Sequence, residues 1–126
     1  ATMGSGSQFP LVLAGVPANL GNPEWKLGVY NALGGAPVTL VLSTNFGFSQ
    51  INGIYVNVDL NAAPLFMNGV LSGTPGAAGE GYGTINMAVP NEPLLAGIDL
   101  FAQWFIWDAG APNGAAATRA GRILLF

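Results

Sequence analysis

The chain has 126 residues, of which 7% are charged, and a formal net charge of −3 at pH 7, so it fits one domain and has no basic stripe for a nucleic-acid partner. It contains no cysteine and no histidine, which excludes disulfides, thiolate nucleophiles, the usual zinc ligands and a Ser-His-Asp triad. Each apolar run is interrupted by Gly, Pro, Asn or Asp before the roughly eighteen residues of a membrane helix, so we predict no membrane span.

The N-terminal half is predicted to begin with a flexible lead-in. Residues 1–8 contain a Gly/Ser run, and we assign residues 9–126 to a single domain. Strands are predicted near 7–14, 24–32 and 37–44, because apolar residues alternate there between Gly/Pro/Asn clusters.

The remaining strands follow at similar spacing. The clearest amphipathic strand is predicted near 52–60, and others near 65–72, between Gly81 and Pro90, near 98–107 and near 117–126. About eight short strands joined by turns predict an all-β fold, an antiparallel β-sandwich of jelly-roll or immunoglobulin-like type.

Two other segments are interpreted against this pattern. Asn45–Gly47 is taken as a turn between strands, since Asn and Gly favour turn conformations. Asn91–Gly97 is the best helical candidate, and it is too short to change the fold class.

The segment Ile98–Trp107 is apolar on both sides of a period-2 strand. One side is an ordinary core face, whereas the other alternates aromatic and polar groups: Asp99, Phe101, Gln103, Phe105 and Trp107. Two interpretations stay open. The strand is central and covered on both faces, or it presents an aromatic row to a partner.

The acidic residues suggest little chemistry. Asp59, Asp99 and Asp108 are scattered over three segments, and we expect Asp59 and Asp108 to bond turn backbone rather than a metal. Glu24 and Glu92 lie beside prolines in turn-like contexts, which disfavours a glycosidase pair. We therefore predict no catalytic residue, no metal site and no cofactor.

The basic residues of the last strand are expected to be divided between two roles. Arg119 and Arg122 lie three positions apart, on opposite faces by alternation. We expect one to be solvated and the other to pair with a carboxylate.

Both ends of the chain are apolar, which favours assembly. Phe9, Leu11 and Leu13 lie near the start, and Ile123–Phe126 ends the chain. Either both segments are ordinary strands of their own sandwich, or the N-terminal strand completes a neighbouring subunit by strand addition. With few charges to protect sheet edges, head-to-tail contacts would then build a filament or layer.

The aromatic residues offer the alternative of a carbohydrate platform. Flat aromatic faces stack on sugar rings, and the row of Phe101, Phe105 and Trp107 has Asp99 and Gln103 beside it. Tyr55 shares its strand face with polar neighbours and is predicted to be exposed.

Several short motifs span about residues 20–126: Gly28–Ala32 and Val38–Leu42 in the first half, and Val89–Asn91, Leu95–Gly97, Leu100–Gln103, Trp107–Asp108 and Asn113–Gly114 in the second. Together they resemble a small secreted β-sandwich module that recurs in planctomycete- and myxobacteria-type extracellular proteins. This resemblance implies an extracellular β-sandwich, often appended to other domains, with no assigned catalytic residues.

These observations predict a non-enzymatic structural or adhesive subunit that self-associates. The low charge and the absence of thiols favour an extracellular or cell-surface location, since solubility in the cytosol normally requires more surface charge. The expected partner is the chain itself, with glycans as the alternative. The candidate binding residues are Phe101, Gln103, Phe105, Trp107, Tyr55, Phe9, Leu11 and Leu13.

Overall fold

The computed structural model describes residues 1–14 and 18–126, and these form an all-β fold. The helical segments of the described residues are two 3-10 turns, Ser5–Ser7 and Pro93–Leu95, so no helix among them is long and apolar enough to cross a membrane. The described part of the chain contains ten strands: β1 Leu11–Ala14, β2 Trp25–Ala32, β3 Pro37–Ser43, β4 Phe46–Ile51, β5 Ile54–Val58, β6 Leu65–Val70, β7 Gly81–Met87, β8 Asp99–Trp107, β9 Ala115–Ala117 and β10 Gly121–Leu124.

The strands pair antiparallel in three sheets. Sheet I has the order β1-β2-β7, and sheet II has the order β10-β8-β3-β6, with β9 also paired to β8. Strands β4 and β5 form a separate hairpin. The prediction of an all-β antiparallel β-sandwich is confirmed.

The main core lies between sheets I and II. Trp25 and Leu27 of β2 face Leu40 of β3 and Trp104 and Ile106 of β8, and each of these side chains is at most 2% exposed. Alternation places these residues on the inner faces, because successive side chains of a strand point to opposite sides. The core face predicted for β8 is therefore confirmed.

Strand β4 was not predicted, because Asn45–Gly47 was interpreted as a turn. The reversal instead falls at Asn52-Gly53, where both residues have positive φ values of 52° and 79°. Asn-Gly is a strong signal for a two-residue hairpin turn of this kind. Gly47 is needed for a different reason, since a Cβ there would lie 3.2 Å from the backbone of Asp59.

The predicted strand near 117–126 is divided into β9 and β10. Thr118 interrupts the ladder: its N–H donates to the Trp104 carbonyl at 3.0 Å, while its Oγ1 accepts from the Trp104 N–H at 3.1 Å. The Thr118 hydroxyl thus accepts from the Trp104 N–H of β8, which would donate to a backbone carbonyl in a regular ladder. Arg119 consequently precedes β10, which corrects the expectation that it lies within the last strand.

Residues 1–8 are packed against the sandwich, in contrast to the predicted flexible lead-in. Thr2 forms two backbone hydrogen bonds with Ala117, of 2.9 and 3.1 Å, and is 6% exposed. The Ser5 N–H donates to Asp108 Oδ2 at 2.7 Å. Gly4 permits this approach, because a Cβ there would lie 2.9 Å from the same carboxylate oxygen. These contacts join Thr2 and Ser5 of the predicted lead-in to the sandwich.

Candidate interaction surface

The hairpin lies on the outer face of sheet II as a third layer. Val56 and Val58 of β5 pack on Val41 of β3, with Phe101 and Phe105 of β8 against the same cluster. Strand β8 is thus central and covered on both sides along most of its length, which is the first of the two interpretations of its pattern. Its final aromatic, Trp107, is 54% exposed.

Gln103 joins the hairpin to sheet II and is 0% exposed. Its Oε1 accepts from the Asn57 N–H at 2.8 Å, and its Nε2 donates to the carbonyls of Tyr55 at 2.9 Å and Thr118 at 2.8 Å. A buried amide is stable only when such bonds are made. Its predicted role as a surface contact is corrected, because the hairpin covers it and uses its polar atoms.

Asp99, the other polar group at the edge of the aromatic row, is also engaged. Its Oδ2 accepts from Arg122 Nη2 at 2.9 Å, and this hydrogen bond raises the pKa of Arg122 above its ordinary value. One arginine therefore pairs with a carboxylate, as expected. Gln103 and Asp99 Oδ2 are thus bound to protein partners, whereas Asp99 Oδ1 is buried without a hydrogen-bond partner among the described residues.

An apolar groove opens where the hairpin ends and β8 continues to Trp107. It has a volume of about 260 Å³. Its walls come from the hairpin on one side and from strands β3, β6 and β8 on the other. The lining side chains are Thr39, Val41, Ile51, Ile54, Val56, Leu60, Phe66, Phe105 and Trp107.

The groove presents apolar surface to solvent. Trp107 and Phe66 are each 54% exposed, and Ile51 is 50% exposed. The polar atoms at its rim satisfy one another: Trp107 Nε1 donates to Thr39 Oγ1 at 3.4 Å, which donates to Asn68 Oδ1 at 2.8 Å. Contiguous exposed apolar surface is a feature shared by protein interaction sites and ligand-binding grooves.

Of the other candidate binding residues predicted from the sequence, Tyr55, Phe9 and Leu11 do not line the apolar groove. Tyr55 is 49% exposed on the hairpin, as predicted for its side chain. Phe9 and Leu11 are 47% and 44% exposed; Leu11 belongs to β1 at the edge of sheet I, and Phe9 precedes that strand. Leu13 pairs with Gly28 in the register of β1 and β2. Strand β1 of the N-terminal apolar segment therefore pairs with β2 of the same sandwich.

Sequence reasoning missed several groove residues. Phe66, Ile51 and Leu60 were not selected, because their contribution depends on how the hairpin folds back over sheet II. Phe48, which is 87% exposed, was missed because β4 was taken as a turn. The Asn52-Gly53 signal would have identified that hairpin.

The carboxylates make turn contacts. Asp59 Oδ1 accepts from the Asn61 N–H at 2.9 Å, and Asp108 Oδ1 accepts from the Gly110 N–H at 3.0 Å. The side chain of Glu92 accepts from the Leu94 N–H at 3.4 Å. Among the described residues, no group of three or more acidic, His or Cys side chains could hold a metal ion.

Comparison with models of known protein families and with curated protein sequences finds no match for this chain.

Proposed function

We propose that this protein is a non-enzymatic extracellular structural or adhesive subunit that self-associates into a filament or surface layer. The observation that carries the proposal is the solvent-exposed apolar groove between the hairpin and sheet II. The proposed occupant is an apolar protrusion of a second copy. The extracellular location rests on the low charge of the chain and on its resemblance to secreted modules.

A suitable protrusion lies at the opposite end of β8. Leu94, on the 3-10 turn Pro93–Leu95, is 84% exposed. Trp107 at the groove and Asp99 near this turn are separated by about 26 Å along the strand. A contact between two such distant patches is heterologous, and repeated contacts of this type build open polymers.

The sheet edges also favour association. Strands β1 and β7 are the edge strands of sheet I, and β6 is an edge strand of sheet II. None of these three strands carries a charged residue, although charges commonly protect edge strands from pairing with other chains. Pairing of these edge strands between copies would therefore add backbone hydrogen bonds to the contact made at the groove.

A carbohydrate platform on β8 has less support. Sugar recognition needs polar groups beside the aromatic rings, so that the hydroxyl groups are bonded in the complex. Gln103 is buried beneath the hairpin, and Asp99 Oδ2 binds Arg122 while its Oδ1 is buried without a partner among the described residues. The groove therefore favours an apolar occupant over a saccharide.

Sedimentation velocity over a concentration series tests the proposal. We expect the wild-type chain to form larger species as its concentration rises, and Phe66→Ser to require at least about tenfold higher concentration for the same association, because it removes a groove wall. Phe48→Ser is the matched control, since it makes the same change at an exposed phenylalanine outside the groove. A wild-type chain that stays monomeric at every concentration, with no polymer in electron micrographs, would contradict the proposal.

A further inference from the structure

A second cleft lies on the outer face of sheet I, on the side of the sandwich away from the apolar groove. Its volume of about 520 Å³ lies within the range of small-molecule sites, roughly 300–1,000 Å³. Two exposed tyrosines form its walls, so we call it the tyrosine cleft. It is lined by Gly28, Val29, Tyr30, Val70, Ser72, Tyr82, Gly83 and Thr84.

The sheet register explains why the cleft is open. Gly28 pairs with Thr84 across β2 and β7, and alternation places Gly28 on the same outer face as Tyr30. Because glycine has no side chain, the surface beside Tyr30 is not filled at this position. Tyr30 and Tyr82 are 45% and 57% exposed, so their rings border an accessible space.

The second wall is held in place by backbone pairing. Ser72 and Tyr82 form an isolated antiparallel bridge, with N–H to carbonyl distances of 2.8 and 3.3 Å in the two directions. This bridge connects the chain after β6 to β7. It therefore fixes the backbone positions of Ser72 and Tyr82 relative to sheet I.

Four hydroxyl groups around the cleft are free to bind a ligand. Within the described part of the chain, the side chains of Tyr30, Tyr82, Ser72 and Thr84 form no hydrogen bond with protein. No lining residue is charged. The cleft thus combines aromatic faces, unpaired hydroxyl groups and electrical neutrality.

We infer that the tyrosine cleft binds a neutral saccharide. A sugar ring has an apolar face that packs on an aromatic ring and hydroxyl groups that donate and accept hydrogen bonds, so it complements both features of the cleft. A second copy that inserted an exposed apolar side chain such as Leu94 or Phe126 would leave the four hydroxyl groups unsatisfied. This inference does not depend on self-association.

Isothermal titration calorimetry with cellohexaose, maltohexaose, mannohexaose and chitohexaose as separate probes tests the inference. We expect at least one of them to bind at concentrations up to about 1 mM. Tyr82→Ala should weaken that binding at least about tenfold, and Thr84→Val should weaken it less, because it removes a hydroxyl group but no aromatic face. Tyr55→Ala is the matched control, since Tyr55 is 49% exposed on the hairpin, outside the cleft.

Several results would overturn the inference. They are the failure of all four probes to bind, an equal loss of saccharide affinity in Tyr55→Ala and Tyr82→Ala, and binding of heparin in preference to every neutral probe.

Thermal unfolding of each variant separates lost binding from lost folding, and Tyr82→Phe provides a stacking-competent variant that should retain most of the binding. If Tyr82→Ala instead abolishes self-association measured by sedimentation, the cleft is an interface between copies. If the wild-type chain binds a probe but does not self-associate, the proposed function fails and the saccharide inference stands.

Discussion

Gln103 lies where three parts of the structure meet, namely sheet II, the hairpin and the Thr118 interruption. Its amide makes three hydrogen bonds to backbone groups of Asn57, Tyr55 and Thr118. A polar residue in an aromatic row indicates a ligand contact when the row is exposed, and a connection between layers when it is covered. The neighbouring residues in sequence do not distinguish these cases, because the covering hairpin is contributed by a distant segment.

The substitution Gln103→Leu should therefore lower the free energy of unfolding. Leucine has a similar size but leaves one backbone N–H and two carbonyl groups without their partner, at an expected total cost of at least about 3 kcal/mol. Gln50→Leu makes the same chemical change at an exposed position of β4 and should stay within about 0.5 kcal/mol of wild type. Urea denaturation measures both. Equal effects of the two substitutions would contradict the connecting role of Gln103.

The hairpin β4–β5 is the element that creates the groove, because its Ile51, Ile54 and Val56 form one wall. The turn residue Gly53 has φ of 79°, and a Cβ at this position would lie 2.9 Å from Asn113 Oδ1. The hairpin is therefore tied at its tip to the loop that follows β8. Asn113 Nδ2 also donates to the Gly53 carbonyl at 3.3 Å.

Gly53→Ala should loosen this hairpin. The positive φ costs an alanine about 1–2 kcal/mol, and the close approach of Asn113 adds to that cost. Gly76→Ala is the control. Gly76 has a similar positive φ of 77°, but no atom lies within 4 Å of the position that its Cβ would take. Hydrogen exchange should show a larger increase at the Asn57 amide for Gly53→Ala. An increase of the same size in both variants would show that the tip contact does not hold the hairpin.

Sequence reasoning identified strands whose alternate side chains are buried, either in the main core or under the hairpin. The inner face of β8 and the strand bearing Val56 follow from period 2 alone. Strand β4 was hidden because Phe46 and Phe48 surround a glycine, and its burial pattern is mostly exposed. The apolar groove could not be predicted, since it depends on the face of sheet II on which the hairpin lies.

At the scale of the whole molecule, the two outer faces of the sandwich differ in chemistry. The sheet II face, with the hairpin, carries an apolar groove rimmed by Trp107 and Phe66, and Leu94 lies at the far end of β8. The sheet I face carries tyrosines and free hydroxyl groups. One face suited to joining copies and another suited to a saccharide would together serve a surface layer that adheres to glycans.

A complementation experiment tests the head-to-tail contact most directly, by sedimentation velocity on two variants alone and mixed. Phe66→Ser damages the groove and Leu94→Ser removes the protrusion, so each variant alone should remain monomeric where wild type polymerises. An equimolar mixture should form dimers and no larger species, because each variant keeps the half of the contact that the other lacks. A mixture that stays monomeric, or a variant that polymerises alone like wild type, would contradict this account.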